Sequence, residues 1–410
     1  MRPIARFQLG LLLLLILAPW AAAQGWVRTY GGPGDQRANA LWAGPDGRLT
    51  FTGRTCAPGD QRGDLWVVQV DSTGRELWQR RLGTPKGNEE GYALAPLGAE
   101  GLLVAGCGYP GSKKEDKGRS RAKRLTGLVH VFSPTGELRW SLELEQVELQ
   151  AALALEDGVL LAGCERSGAG HAWLGLLDLE GRWRWTRSYS STDSTRFDGL
   201  ARLSDSSYVA VGNYRSAGTG PRSAWCVAVD ETGEPLWQAF SGTRDDIFRA
   251  VAVHNGVVSC GGGSSDHFFL ENIPVYNQFL LRLSSAGQPL DSLRVPTRRF
   301  ELITALCAND SLLVQGGYSA GDPLSTQPSR IGVHVQARGA GFTPRWERNL
   351  DYLDYGMGKA LLALPDGYVL AGLARVDRAV DADALLLRLD AAGRVDSTLP
   401  PAGPLRSEPE

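Results

Sequence analysis

An acidic residue stands at a corresponding place in each of seven segments of this chain, about fifty residues apart. The seven are Asp35, Glu89, Glu148, Asp193, Asp246, Glu301 and Asp354. A ring of carboxylates could attract a cation, and two carboxylates beside a cleft could act as acid and base in the cleavage of a glycan. Calcium needs about six or more converging oxygens, however, and a wide ring would not bring them together. We therefore predict that these acids fix their own loops and hold no metal.

Two other segments carry side chains that are typical of binding surfaces. One is rich in bases, and its candidate contacts are Lys113, Lys114 and Arg121. The other is aromatic, and its candidates are His267, Phe268, Phe269 and Tyr276. A charge run in a long loop is usually only solvated, whereas exposed aromatic side chains more often mark contact with a partner or a sugar.

The chain offers no recognisable catalytic set. Its five histidines lack the spacing of metal ligands, and neither a G-x-S-x-G elbow nor a phosphate-binding loop is present. Paired carboxylates such as Asp245 and Asp246 do not by themselves identify a glycosidase. We assign no catalytic residue and no cofactor.

These candidates must be positioned by a repeated unit, which is clearest from Trp66 to Trp78. The segment reads W-V-V-Q-V-D-S-T-G-R-E-L-W: an alternating strand, an Asp-to-Gly turn and a second strand that carries a tryptophan. Similar phrases begin at Trp173 and Trp225, with weaker copies elsewhere. Because the tryptophans recur at equivalent positions, we expect them to pack between repeats and to donate their N–H groups to backbone acceptors.

A second phrase, hydrophobic residues ending in glycine, marks each repeat. The glycines assigned to it are Gly53, Gly106, Gly163, Gly212, Gly261, Gly316 and Gly372. Seven copies at this spacing predict an all-β fold, a seven-bladed β-propeller of four-stranded antiparallel blades. The strand Trp26 to Tyr30 precedes every other strand, so we predict that it completes the last blade and closes the ring.

In a meander of strands A to D, alternate connections lie on opposite faces of the ring. The A–B and C–D turns are short, while the D–A and B–C connections carry the long insertions and the candidate binding residues. The D–A connections lead into the innermost strands, which would place the seven acids at the mouth of a central channel. Loops on a rigid scaffold are where binding residues concentrate.

The first 23 residues have the pattern of a secretory signal, with Arg2 and Arg6 before an apolar run and small residues up to Ala23. We predict a single propeller over 24–397, a disordered tail over 398–410, and a secreted or periplasmic protein. Without the signal the chain has 41 basic and 45 acidic residues, so no nucleic-acid partner is expected. We expect a monomer with no membrane-spanning segment. Six cysteines leave the disulfide pairing open, although Cys226 or Cys307 could reach Cys260.

The phrase from Trp66 to Trp78, followed by a Gly/Asp-rich loop and D-G-x-x-x-x-G, resembles the β-propeller repeats of secreted bacterial proteins. That group is distantly similar to the tryptophan-docking, quinoprotein-like propellers. Asp71 to Gly74 is one residue shorter than the usual quinoprotein turn, and the adjacent cysteine pair is absent, which argues against quinone chemistry. The resemblance implies an exported, non-catalytic binding or scaffold propeller that presents a protein- or glycan-binding face. The alternative is an envelope or secreted glycan hydrolase or lyase that acts at the channel mouth.

Overall fold

The computed structural model describes residues 25–85, 87–98, 101–109, 125–167, 170–189, 194–215, 221–242, 244–265, 269–270, 273–274, 276–296, 300–320, 331–350, 355–375 and 381–395. At 269–270 and 273–274 it describes the backbone only. The predicted signal peptide and tail therefore lie outside the described residues. No helix in the described part of the chain is long and apolar enough to cross a membrane.

The described residues form seven four-stranded antiparallel sheets, so the predicted seven-bladed propeller is confirmed. Blade 1 contains β2 (Gln36–Ala43), β3 (Leu49–Cys56), β4 (Gly63–Val70) and β5 (Glu76–Leu82). Blade 2 contains β6 (Asn88–Leu97), β7 (Gly101–Tyr109), β8 (Thr126–Phe132) and β9 (Leu138–Glu145). Blade 3 contains β10 (Val147–Leu155), β11 (Gly158–Glu165), β12 (His171–Asp178) and β13 (Trp183–Tyr189). Blade 4 contains β14 (Ser194–Ser204), β15 (Ser207–Arg215), β16 (Ser223–Asp230) and β17 (Pro235–Phe240).

The remaining blades follow the same order of strands A, B, C and D. Blade 5 contains β18 (Asp245–His254), β19 (Val257–Ser265), β22 (Asn277–Ser284) and β23 (Pro289–Arg294), with a small hairpin of β20 (Phe269–Leu270) and β21 (Ile273–Pro274). Blade 6 contains β24 (Glu301–Ala308), β25 (Leu313–Ala320), β26 (Ile331–Arg338) and β27 (Pro344–Asn349), with a 3-10 turn at Ala340–Phe342. Blade 7 contains β28 (Tyr355–Leu364), β29 (Gly367–Arg375), β30 (Asp383–Asp390) and, as its strand D, β1 (Trp26–Tyr30).

The ring closes as the sequence predicts. Strand β1 pairs antiparallel with β30, with Trp26 opposite Arg388 and Tyr30 opposite Ala384. Trp26 and Tyr30 are buried in a cluster with Phe51 and Trp66 of blade 1, so the N-terminal strand also packs against the first blade. Burial of these side chains couples the two ends of the chain to one core.

The core lies between neighbouring blades. Leu103 and Val129 of blade 2, for example, belong to one buried cluster with Val159 and Leu161 of blade 3. These residues alternate along their strands, which gives each sheet two apolar faces, one for each neighbour.

The C–D turns repeat one hydrogen-bonding pattern. In blade 1 the Oδ1 atom of Asp71 accepts the backbone N–H groups of Thr73 at 2.9 Å and Arg75 at 3.0 Å. The same carboxylate pattern recurs at Asp178, Asp230 and Asp390. An acid that fixes its own turn explains why this residue type recurs from blade to blade.

Several C–D turns accept a hydrogen bond from a tryptophan of the preceding blade. The Nε1 atom of Trp78 donates to the carbonyl oxygen of Pro134 at 3.2 Å, and Trp185 and Trp237 make corresponding bonds to Glu231 and Ser285. Gly136, with φ of 81°, lies under the Trp78 ring, where a Cβ would come within 2.7 Å. The expected role of the strand-D tryptophans in packing between blades is therefore seen in these contacts.

The ring of blades has two faces. We call the side of the D–A and B–C connections the loop face; at blade 1 it comprises residues 31–35 and 57–62. The opposite side, with the A–B and C–D turns, is the turn face; at blade 1 it comprises residues 44–48 and 71–75. The six cysteines are free thiols, with the Sγ atoms of Cys226 and Cys260 3.8 Å apart across blades 4 and 5.

Candidate functional site: the central channel

Every innermost strand contains a β-bulge. The pairing of β2 with β3 passes from Ala38 to Ala40 and leaves Asn39 unpaired, and the other six A strands repeat this shift. We call the seven bulged residues the channel ring: Asn39, Tyr92, Gln150, Asp198, Arg249, Thr304 and Lys359. A bulge redirects one side chain and is often found beside a functional site.

The repeat glycines make room for these bulges. A Cβ on Gly53 would lie 1.9 Å from the carbonyl oxygen of Arg37, and Gly212 would meet Arg196 at the same distance. In blades 5 and 6 the glycines in this position are Gly262 and Gly317. The sequence-based assignment of Gly261 and Gly316 was therefore wrong by one residue, because either glycine of each pair fits the pattern in sequence.

The channel ring lines a cavity of about 520 Å³ along the central axis. All seven ring residues contribute to its wall, together with the small and aliphatic residues that follow them, such as Ala40 and Leu41. Tyr318 of β25 is also part of the wall. The volume is in the range of pockets that hold small molecules.

An ion pair links blades 1 and 2 at one side of the channel. The Nε atom of Arg37 lies 2.6 Å from Oε1 of Glu90, and its Nη2 atom donates to Oε2 at 2.7 Å. Asn39 also donates to Oε1 of Glu90 at 2.6 Å. Glu90 is thus bonded on both oxygens, which satisfies a carboxylate that is almost wholly buried.

A longer chain of charges crosses blades 3, 4 and 5. Arg166 donates through Nε to Glu148 at 2.9 Å, and Arg196 lies 3.6 Å from the other oxygen of Glu148. Arg196 also contacts Oδ1 of Asp198 at 2.6 Å, and Nη1 of Arg249 reaches the same oxygen at 3.1 Å. Alternating charges therefore run from the loop-face end of the channel to the ring itself.

Lys359 is the exception to this pairing. No described carboxylate lies within 4.0 Å of its ammonium group, which instead sits 6.0 Å from the centre of the Tyr318 ring. Burial lowers the pKa of Lys359, the charges of Arg37 and Arg249 lower it further, and the charge of Glu90 opposes them. The side chain therefore experiences an excess of positive charge in the channel.

The seven acids predicted from the sequence do not converge. Asp193 and Asp354 lie outside the described residues, and no group of three potential metal ligands occurs in the described part of the chain. Asp35 accepts the N–H of Ala382, and Glu89 accepts the N–H and hydroxyl of Thr84. Only Glu148 belongs to the channel network described above.

Asp246 and Glu301 are withdrawn from the channel. The Asp246 side chain has 0% of its surface exposed and is bonded to Arg294 at 3.0 Å, while Glu301 is buried and accepts from Ser319 at 3.2 Å. Neighbouring residues of a strand face opposite sides of the sheet. The side chains of Glu89 and Glu90 therefore point in opposite directions, and so do those of Asp246 and Ile247. The sequence pattern placed the acids at the correct ends of strands but did not resolve this alternation.

Most of the binding residues predicted in the loops lie outside the described residues. Lys113, Lys114, Arg121, His267 and Phe268 are not described, and Phe269 is described only as backbone in β20.

Tyr276 is described and corrects the expectation of an exposed aromatic: it is only 5% exposed. Its hydroxyl donates to Oδ2 of Asp245 at 2.9 Å, and the Arg222 guanidinium lies over its ring. The ring is held inside the blade 4–5 junction because its polar end finds a carboxylate there.

Sequence reasoning missed the channel ring, although a signal is present. Each ring residue is followed by alanine or glycine and then by an aliphatic residue or alanine, as in Asn39-Ala-Leu, Arg249-Ala-Val and Lys359-Ala-Leu. This triplet recurs in all seven blades with a different first residue in each. A search for a constant residue type passes over it.

Comparison with known proteins supports the fold and no more. No protein-family model matches the chain, and no curated protein matches it. Similar solved structures include Sqt1 from Chaetomium thermophilum, 11% identical with a TM-score of 0.51, over 90% of this chain and 99% of that one.

Two other similar structures are more distant in shape. The β-propeller domain of the Trilobed protease from Pyrococcus furiosus is 8% identical with a TM-score of 0.48, over 89% of this chain and 95% of that one. A europium-containing methanol dehydrogenase is 11% identical with a TM-score of 0.44, over 90% of this chain and 80% of that one. Identities this low leave the activity of the chain open, and its propeller fold is shown by its own seven sheets.

Proposed function

We propose that this protein is an exported, non-catalytic binding propeller of the secreted bacterial kind, which holds a glycan or a protein at its loop face and central channel. The single observation that carries the proposal is the channel ring. Seven bulges turn seven chemically different side chains toward one cavity of about 520 Å³, on a scaffold whose turn acid recurs in blades 1, 3, 4 and 7. Such variation at fixed geometry is what recognition of a specific ligand requires.

The alternative function, a glycan hydrolase or lyase, finds less support in the channel. Two-carboxylate catalysis needs one carboxyl that can give a proton to the leaving group. The channel carboxylates Glu90, Glu148 and Asp198 each contact at least one arginine. Asp246, one of the seven acids expected at the channel mouth, has no exposed surface from which to reach a substrate. The geometry therefore favours binding without turnover.

A channel-filling variant tests the proposal. Gln150→Trp introduces a large side chain at the ring, whereas Ser72→Trp adds the same side chain on an exposed C–D turn and serves as the matched control. We expect the parent and Ser72→Trp to bind members of a panel of neutral and acidic oligosaccharides on an array, and Gln150→Trp to lose that binding.

The same panel measures turnover. Release of new reducing ends or unsaturated products by the parent would overturn the non-catalytic assignment. Binding that Gln150→Trp retains would remove the channel from the site. Export is tested separately by the N-terminus of the protein recovered outside the cytoplasm of an expressing bacterium, which should begin near Gln24.

A further inference from the structure

The charges of the channel wall and of the ion-pair network that adjoins it do not balance. The described cationic side chains of the channel and its network are Arg37, Arg166, Arg196, Arg249 and Lys359, and the described anionic ones are Glu90, Glu148 and Asp198. Five positive against three negative charges leave an excess of two. In a chain whose formal net charge is −2, a positive interior channel is a local feature and does not follow from composition.

The excess is concentrated at blades 5 and 7. Lys359 has no described carboxylate partner, and Asp198, the carboxylate bound to Arg249, is shared with Arg196. Lys359 is partly buried, and a partly desolvated ammonium with no described counter-ion is unfavourable, so a bound anion would stabilise this part of the channel. Lys359 and Arg249 line the same cavity, and the charge of Arg249 lowers the pKa of Lys359. An anion between the two cations would offset that repulsion, and a carboxylate has two oxygens with which to do so.

The adjoining walls of the cavity are suited to a sugar ring. Tyr92 and Tyr318 line the cavity, together with the small residues Ala305 and Ala360, which follow Thr304 and Lys359. Tyrosine presents an apolar face with a polar tip, which fits the mixed surface of a sugar ring. The cavity of about 520 Å³ admits a mono- or disaccharide or the end of a chain, and excludes a folded protein.

We propose that the central channel binds a small acidic saccharide, with the sugar against Tyr318 and its carboxylate held by Lys359 and Arg249. This inference rests on the proposed function and names the ligand class for the same site. Lys359 and Arg249 set specificity for charge, while Gln150 and the tyrosines shape the space that any sugar would occupy.

Calorimetric titration with digalacturonate, and with uncharged digalactose as the neutral counterpart, tests the charge preference. The parent should bind digalacturonate at least about tenfold more tightly, since one charge-assisted contact contributes about 1.4 kcal/mol or more. Lys359→Met should lose this preference, Lys359→Arg should retain most of it, and Arg249→Gln should reduce it. The matched control Arg48→Gln removes a cation from the exposed turn face and should bind like the parent. Melting temperatures of all variants verify that they are folded.

The outcomes separate the two proposals. Equal affinity for both sugars, with binding lost in Gln150→Trp, would overturn the acidic-ligand inference and leave the binding propeller standing. Binding of inorganic phosphate or sulfate as tightly as digalacturonate would show that only the anion is recognised and would overturn the assignment to a saccharide. If no acidic saccharide of the array binds, the inference fails. If neutral saccharides fail as well, the glycan-binding form of the proposed function fails with it.

Discussion

The C–D turns and the channel ring are both built once per blade, yet they differ in what is repeated. At the turns the residue type recurs: an acid such as Asp71 or Asp178 bonds the turn, a glycine such as Gly136 takes positive φ, and a tryptophan covers it. At the channel ring only the geometry recurs, and the side chain changes from Asn39 to Lys359.

Stability and ligand binding therefore depend on different kinds of position. A residue that recurs in equivalent positions solves a problem that every blade has, namely a turn to close and a neighbour to pack against. A position where the backbone geometry is constant but the side chain varies does not have to close a turn or pack against a neighbouring blade. The comparison predicts that changes at repeated positions lower stability, and that changes at the ring affect binding with little cost to the fold.

The largest effect should come from removal of the closing strand. Deletion of residues 25–30 removes β1, exposes the edge of β30 and leaves the Phe51 cluster without Trp26 and Tyr30. Burial of these side chains contributes about 5 kcal/mol, so unfolding should occur at much lower denaturant concentration and aggregation should increase. Arg28→Gln, which leaves the strand intact, is the control. A deletion variant that unfolds like the parent would mean that β1 is dispensable.

Replacement of a repeat glycine beside a bulge should cause the second-largest loss of stability. In Gly212→Ala the new Cβ would meet the carbonyl oxygen of Arg196 at 1.9 Å, so the backbone of the bulge must move. We expect a loss of about 3 kcal/mol in the free energy of unfolding. Gly32→Ala, where a Cβ would meet nothing within 4 Å, should be close to neutral. Equal unfolding curves for the two variants would disprove the steric explanation for the repeat glycines.

A turn acid should have a smaller effect. Asp178→Ala removes an acceptor that holds the N–H groups of Glu180 at 3.0 Å and Arg182 at 2.8 Å. The loss should be about 1 kcal/mol because the freed N–H groups can bond to water. Glu180→Ala, at the exposed tip of the same turn, should cost less. Urea unfolding of both variants measures the difference, and a larger loss at Glu180 would contradict the account.

Replacement of an acid that is not part of the repeat should raise the stability of the protein instead of lowering it. Burial, together with the charge of Asp381, raises the pKa of Asp383 from 3.8 to about 6. Between these values the unfolded chain loses the proton first, so the folded state loses stability as pH rises and carries the penalty at neutral pH. Asp383→Asn should therefore stabilise the protein at pH 7 by about 1 kcal/mol, less than the full linkage value because the carboxyl is partly exposed. Thermal melts should show the gain disappear below pH 4, and a loss of stability at pH 7 would refute it.

The same contrast explains how much the sequence predicted. Repeated tryptophans, turn acids and glycines predicted the seven blades and the pairing of Trp26 to Tyr30 with the last one. The channel ring escaped because a bulge changes register without requiring any residue type at the bulged position. One-residue differences such as Glu89 against Glu90 decide which side chain faces the channel, and composition and spacing do not resolve them.

The most direct test of the central claim measures one ring variant for both properties. Lys359→Met should melt within about 2 °C of the parent, because the ammonium has no described carboxylate partner whose ion pair would be lost, and it should lose the preference for digalacturonate over digalactose. Gly212→Ala should melt far lower. If Lys359→Met instead melts as low as Gly212→Ala, or binds digalacturonate like the parent, the ring belongs to the scaffold and the division between repeated and varied positions is wrong.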